Sequence, residues 1–161
     1  GIMEGRTAGI FAPNEPITRA EFATVCAQFD KSEVETVCHF SDISGHWAEA
    51  FIERASALGW IAGYEDGTFR PNQNIKRDEA MKIINKVLFR TPDKEHFLPD
   101  MIKWPDNSDT DAWYYTDVQE ATNNHDYERV NNNSPETWTK ITPARDWKAL
   151  EAELAQKYPD R

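Results

Sequence analysis

The chain has 161 residues, of which 39% are hydrophobic, 12% aromatic and 29% charged, a composition typical of a soluble globular protein that can bury a core. Its formal net charge of -10 argues against nucleic acid and anionic membrane surfaces as partners, because both repel an acidic protein. No apolar run approaches the roughly 18 residues of a membrane-spanning helix, so we expect no membrane insertion, and no signal peptide is visible.

The predicted elements are all helices. Apolar residues at helical spacing indicate a first helix over 19–30, a second over 46–58 and a third over 77–89. The loop of 59–76 contains the glycines and the proline that favour turns. Residues 148–157 consist of strong helix formers and predict a C-terminal helix. No element is predicted for the polar stretch NNHDYERVNNNSPETW, so the expected fold class is all-α.

The sequence repeats itself with a period of 58 residues. GIMEGRTAGIFAPNEPITRAEF at 1–22 aligns with GWIAGYEDGTFRPNQNIKRDEA at 59–80 without a gap, and nine of the 22 positions are identical. The identities concentrate on glycine, proline and aromatic residues, which chance does not explain. One helix-loop-helix unit cannot enclose its own apolar faces, so we expect neighbouring units to pack against each other.

A third copy begins in register and then diverges. Asp100 follows Asp42 at the same period, but HWAEAFIERA and AWYYTDVQEA align only if about eight residues are inserted between the two copies. We therefore divide the chain into three units: 1–34 is the C-terminal half of a first repeat, 35–92 is a complete second repeat, and 93–161 is a divergent third repeat with an insertion at 102–112 and the C-terminal helix.

An arginine stands at the start of a predicted helix in two units. Thr18 and Glu21 have the spacing of a capping box, which makes Arg19 the first helical residue, and Arg77 repeats that position. The positive end of the helix dipole disfavours a cation there. One explanation is that the arginine and the free amides of the helix bind an anion. The other is that the arginine pairs with an acidic side chain of a neighbouring unit.

The aromatic residues permit two interpretations. Six tryptophans and five tyrosines suit a sugar-binding groove, because flat rings cover the faces of pyranoses. The alternative is core packing. Trp47 and Trp113 begin helices with apolar stripes, so we expect partial burial, whereas Trp60 and Trp138 are the candidates for exposure.

No pattern of catalysis or metal binding is present. The acidic run DNSDTD lacks the glycine and the closing glutamate of an EF-hand loop, the four histidines have no metal-ligand spacing, and the common nucleophile and phosphate-loop motifs are missing. We expect no catalytic residue, no metal and no cofactor. Cys26 and Cys38 would be able to pair in a secreted chain, but two buried free thiols is the favoured interpretation.

These motifs together resemble the S-layer homology repeat. FSDISGHWAEAFIERASALGWIAGYEDGTFRPNQNIKRDEAMKIINKVL looks like a complete repeat, GIFAPNEPITRAEF resembles the end of another, and AWYYTDVQEATNNHDYERVNNNSPETWTKITPARDW is similar to the divergent last repeat of many clostridial surface proteins. The resemblance implies a pseudo-threefold helical assembly with grooves between repeats. It also implies noncovalent attachment to the cell wall through secondary cell-wall polysaccharide, often through a pyruvylated N-acetylmannosamine.

In the family, the arginine of T-R-A-E contacts the carboxylate of the ligand, and a tryptophan and a loop glycine line the groove. The positions carried over are Arg19, Arg77 and Arg145 for the carboxylate, Trp47 and Trp113 for the groove wall, and Gly5 and Gly63 for the loop near the sugar. The motif is intact at Arg19, altered to K-R-D-E at Arg77, and only loosely matched in TPARDW at Arg145.

The predicted function is therefore binding without chemistry. We expect a noncovalent anchoring module at the cell surface that binds an anionic cell-wall polysaccharide in grooves between repeats. The alternative is a structural or protein-interaction module of a surface layer, with protein partners and no glycan ligand.

Overall fold

The computed structural model describes residues 3, 5–6, 9–30, 32–36 and 40–158. Within these residues the chain forms α-helices α1 (Arg19–Ala27), α2 (Glu49–Ala57), α3 (Arg77–Val87), α4 (Tyr115–Thr122) and α5 (Trp147–Lys157), a 3-10 turn at Lys94–His96, and strands β1 (His125–Glu128) and β2 (Thr137–Ile141). No helix in the described part is both long enough and apolar enough to cross a bilayer.

Helix α1 begins where the capping box predicts. The backbone N–H of Glu21 donates to Oγ1 of Thr18 at 3.2 Å, and the backbone N–H of Thr18 donates to Oε2 of Glu21 at 2.7 Å. Helix α3 begins at the corresponding Arg77. There the backbone N–H of Lys76 donates to Oε2 of Glu79 at 3.0 Å, so the glutamate half of the cap is kept although the threonine is not.

The turns before α1 and α3 share one backbone conformation. Gly9 and Gly67 have φ angles of 77° and 78°, and Ala12 and Arg70 have φ angles of 57° and 58°. Glycine adopts this left-handed region freely, whereas Ala12 and Arg70 do so at a cost. The second repeat repays that cost through Asp42, whose carboxylate accepts the backbone N–H groups of Phe69 and Arg70, both at 2.8 Å.

The first helix of one repeat packs against the second helix of the repeat before it. Helix α2 packs on α1, and α4 packs on α3. Small side chains let α1 and α2 approach closely around a core that the loop of the second repeat closes. The buried members of that core are Ala20, Ala23, Cys26, Ala27, Ile43, Ala48, Ile52, Ala55, Trp60, Ile61, Phe69 and Ile83. Burial raises the pKa of the Cys26 thiol to about 11, whereas Cys38 lies outside the described residues.

The first two repeats are also joined through their backbones. The N–H of Arg19 donates to the carbonyl of Gln73 at 2.8 Å, and the N–H of Ala20 donates to the carbonyl of Pro71 at 3.0 Å. A reciprocal bond runs from the N–H of Ile75 to the carbonyl of Ile17 at 3.1 Å. The start of α1 is therefore held by the second repeat.

The all-α prediction is incomplete, because the polar stretch near the C-terminus forms a hairpin. Strands β1 and β2 are antiparallel, with His125 opposite Ile141 and a register irregularity between Asp126 and Tyr127. A strand whose buried side carries apolar residues alternates visibly in sequence. In this hairpin the buried positions include Glu136 and Trp138, so charged residues concealed the pattern.

The predicted environments of the tryptophans are reversed. Trp60 and Trp138 are 5% and 2% exposed, whereas Trp47 and Trp113 are 61% and 54% exposed. Trp138 stacks on the ring of His125 with centroids 3.9 Å apart, and its Nε1 donates to Glu120 at 3.0 Å. Helix α2 is covered by α1 and helix α4 by α3, whereas Trp47 and Trp113, which precede these helices, face solvent.

Candidate binding groove

A pocket of about 240 Å³ lies where the three units meet. Helix α3 and the loop after α2 each contribute four lining residues, and helix α1 and the segment before α4 each contribute one. The lining residues are Arg19, then Trp60, Ala62, Gly63 and Tyr64, then Glu79, Lys82, Ile83 and Lys86, and finally Trp113.

The pocket brings together three residues that the sequence singles out. Arg19, Gly63 and Trp113 come from the first, second and third units, and all three line it. More than half of the Trp113 surface remains open to solvent. Its ring stands edge-on to Tyr114, with centroids 5.4 Å apart, so a flat apolar surface is available at the pocket wall.

Arg19 is fully engaged within the protein. Its Nε donates to the carbonyl of Phe69 at 2.8 Å, and one terminal nitrogen donates to the carbonyl of Ala62 at 3.2 Å. The other terminal nitrogen pairs with Oε1 of Glu79 at 2.9 Å. The guanidinium carbon also lies 4.8 Å from the ring centroid of Tyr64. With 6% of its surface exposed, Arg19 adopts the pairing with a neighbouring unit that was the alternative to anion binding.

The amides at the start of α1 are not available to an anion. Those of Arg19 and Ala20 donate to carbonyls of the second repeat, and that of Glu21 donates to Thr18. The expectation that an anion lies between Arg19 and free helix amides is therefore wrong for α1. A helix N-terminus attracts anions only while its N–H groups lack other acceptors.

Gly63 is required by close packing. A Cβ atom at this position would lie 2.3 Å from Cε1 of Phe40 and 2.6 Å from the carbonyl oxygen of Thr68. Real Cβ atoms do not approach other heavy atoms so closely, so any larger residue would displace the loop or the Phe40 ring. The glycine therefore shapes the pocket wall whatever the pocket binds.

Two lysines of α3 are groove residues that the sequence reasoning missed. Nζ of Lys82 lies 5.0 Å from the ring centroid of Trp113, and Nζ of Lys86 donates to the carbonyl of Gly59 at 2.8 Å. Burial lowers the pKa of Lys86, and the charge of Lys82 lowers it further. The alignment of the repeats contains this difference, because the matching positions in the first repeat are Thr24 and Gln28.

The other expected ligand residues lie away from this pocket. Arg77 and Arg145 are exposed, and neither has an ion-pair partner among the described residues. The guanidinium carbon of Arg145 lies 5.4 Å from the ring centroid of Trp147. The ring of Trp47 neighbours that of His46 at 5.5 Å, and Gly5 is exposed.

A known protein family matches two segments of this chain. The sequence profile of the S-layer homology domain matches residues 1–23 and 39–81. These are the segments that contain T-R-A-E, the H-W-A helix and the glycine-rich loop. The two segments belong to the S-layer homology domain family.

The relatives of this chain are much longer proteins. Cell surface glycoprotein 1 of Acetivibrio thermocellus is 37% identical over 139 residues, which is 79% of this chain and 6% of that protein. The cellulosome-anchoring protein of the same organism is 38% identical over 143 residues, 84% of this chain and 30% of that protein. An endoglucanase of Bacillus sp. KSM-635 is 30% identical over 104 residues, 60% of this chain and 11% of that enzyme.

The chain thus spans less than a third of the length of each of these relatives. The family and the names of the relatives indicate a location at the cell surface or in the cell wall. Identity to the endoglucanase is confined to about a tenth of that protein, so the similarity concerns a module and not the whole enzyme.

Outside the segments matched by the S-layer homology profile, the hairpin buries a cluster of charges. Ligand atoms of Glu120, His125 and Glu136 lie within 4.8 Å of one another, close enough to hold a metal ion. However, the guanidinium of Arg90 contacts all three, pairing with Glu136 at 2.8 Å, with Glu120, and with Nε2 of His125 at 2.7 Å. A cation already fills the position a metal would take, so the cluster is an ion-pair network.

Proposed function

We propose that this chain is a noncovalent cell-wall anchoring module whose pocket binds an anionic cell-wall polysaccharide. The observation that supports it most is the convergence of Arg19, Gly63 and Trp113 in one pocket. These three residues are expected from the family to contact the ligand. They are supplied by three different units, so the pocket exists only when the units are assembled.

The proposed binding mode follows from the side chains that line the pocket. The exposed ring of Trp113 covers the face of a sugar, while Lys82 and Lys86 attract its negative charge. Local positive charge is needed because the whole chain carries a net charge of -10 and would otherwise repel an acidic polymer. Arg19 fixes the loop that carries Gly63 through its bonds to the carbonyls of Ala62 and Phe69.

We extend the proposal to the remaining expected residues and to the assembly. Gly5 corresponds to Gly63, and Trp47 corresponds to Trp113, so we assign both to the equivalent groove one unit earlier. Arg77 and Arg145 occupy the position of Arg19 in the second and third units. The recurring pairs of α1 with α2 and α3 with α4 support a pseudo-threefold arrangement of units 1–34, 35–92 and 93–161.

A second candidate is a structural or protein-interaction module of the surface layer. The ion pair between Arg19 and Glu79 favours it, because a satisfied arginine needs no ligand. Binding to wall-stripped cells together with no binding to isolated polysaccharide would support this second candidate and contradict the first.

The test is co-sedimentation with purified wall polysaccharide of Acetivibrio thermocellus, the organism of the two clostridial relatives. We expect Trp113→Ala to weaken binding by about tenfold, since stacking of one ring contributes on the order of 1 kcal/mol or more. Trp113 is exposed, so its loss should leave the fold intact. Trp147→Ala is the matched control, because Trp147 is also exposed and lies outside the pocket. Equal binding by both variants and the wild type would contradict the proposed groove.

A further inference from the structure

The charges that line the pocket do not balance. Its cationic lining consists of Arg19, Lys82 and Lys86, and its acidic lining consists of Glu79. Arg19 and Glu79 neutralise each other at 2.9 Å. Among the described residues neither lysine has a carboxylate within ion-pair distance. The groove lining therefore includes two ammonium groups that form no ion pair with a described carboxylate.

The two lysines are held close together by the helix. Residues four apart lie on one face of a helix, where two like charges destabilise it by a few tenths of a kcal/mol. Asp117, the acidic group that acts on both lysines, is itself buried and bonded through Oδ1 to the amide of Asn85 at 3.0 Å. Burial raises the pKa of Asp117.

The lysine pair distinguishes this groove from its counterpart one unit earlier. Helix α1 repeats the frame of α3, with Glu21 at the position of Glu79. However, Thr24 and Gln28 stand where α3 has Lys82 and Lys86. The glutamate therefore recurs in both repeats, whereas of the two repeats the second alone has the lysine pair.

We propose that Lys82 and Lys86 make this groove specific for a glycan segment that carries two negatively charged groups, each contacting one lysine. This inference rests on the proposed function and adds the charge class of the ligand. A segment with a single anionic group would leave one ammonium group uncompensated in a partly desolvated site. Trp113 lies beside Lys82 and therefore stacks against the sugar that bears the first of the two groups.

The test replaces the lysines with the residues of the first repeat. Affinities of the wild type, Lys82→Thr, Lys86→Gln and the double variant are measured against the same purified polysaccharide at about 50 mM and about 300 mM sodium chloride. We expect each single change to weaken binding by about tenfold, the double change by about a hundredfold, and the salt dependence to become flatter with each lysine lost.

Lys103→Thr combined with Lys140→Gln removes the same charge from exposed positions outside the pocket and serves as the control. Far-UV circular dichroism checks that each variant is folded. A double variant that binds within about twofold of the wild type would overturn the inference and leave the proposed function standing. A double variant that binds the polysaccharide no more weakly than the single variants would indicate that the ligand has one anionic group, which would also overturn the inference. If the wild type binds no polysaccharide, the proposed function fails and the inference fails with it.

Discussion

Arg19 and Arg77 show that one sequence position can have two environments. Both begin a helix in the same repeated motif. Arg19 is buried against Phe69, Ala62 and Glu79 of the following repeat, whereas Arg77 is exposed. Arg19 donates to carbonyls of the glycine-rich loop that follows α2, whereas a hairpin follows α4 in the next unit.

Arg19 should therefore matter for stability as well as for binding. We expect Arg19→Ala to lower the free energy of unfolding by about 3 kcal/mol, because it removes three hydrogen bonds and leaves the partly buried carboxylate of Glu79 without its ion pair. Urea unfolding followed by circular dichroism measures the change. Arg77→Ala is the control, with an expected effect within about 0.5 kcal/mol. Similar losses in both variants would show that Arg19 is not the anchor between repeats that its contacts indicate.

At the scale of elements, the hairpin depends on charge rather than on apolar burial. Trp138 on β2 donates from Nε1 to Glu120 of α4, and Glu136 directly precedes β2. Arg90, which follows α3, pairs with both carboxylates. Burial on its own would raise the pKa of Glu120, but the hydrogen bond and charge of His125 and the charge of Arg90 lower it below its ordinary value. Ion pairs and a hydrogen bond among Arg90, Glu120, Glu136 and Trp138 therefore attach the hairpin to α4 and to the end of α3.

Removal of the central cation should release the hairpin. We expect Arg90→Ala to lower the free energy of unfolding by about 3 kcal/mol, because Glu120 and Glu136 would remain as buried like charges without the cation that contacts both. Glu136 would keep its pairing with Arg129, and Glu120 its contacts with His125 and Trp138. The environment of Trp138 should become more polar, with a red shift of its fluorescence. Lys140→Ala, at an exposed position of β2, is the control. An unchanged emission spectrum in Arg90→Ala would mean that the network does not hold the hairpin.

At the scale of the whole molecule, the units are stabilised by one another. The core contains α1 residues from the first unit and α2 residues from the second, and backbone hydrogen bonds join the start of α1 to 71–75. The pocket is lined by residues of all three units. Assembly and the candidate site therefore depend on the same interfaces, as expected for repeat proteins.

An isolated central repeat should not fold. We expect 35–92 to show little helical circular dichroism, because α2 loses α1 and α3 loses α4, their packing partners. The matched fragment 1–92 keeps the interface of α1 and α2 and should retain most of its helix. The full chain should unfold in one cooperative transition. A folded 35–92 fragment with its own cooperative melting curve would contradict the dependence on neighbouring units.

The sequence by itself determined the local structure of this protein, that is, where helices begin and where the chain turns. It predicted the starts of α1 and α3 at Arg19 and Arg77, the glycine-rich turns, the C-terminal helix and the S-layer homology family, because caps, turns and repeats depend on residues close in the chain. It also named Arg19, Gly63 and Trp113, which the structure gathers into one pocket.

Only the tertiary structure decided which side chains are satisfied and which are free. Burial of Trp60 and Trp138, the ion pair of Arg19 with Glu79, and the network around Arg90 all join residues distant in sequence, so no local pattern contains them. The same holds for Lys82 and Lys86. Their spacing shows that they share a helix face. Their position beside Trp113, and the pairing of Glu79 with Arg19 instead of with a lysine, depend on how the repeats pack.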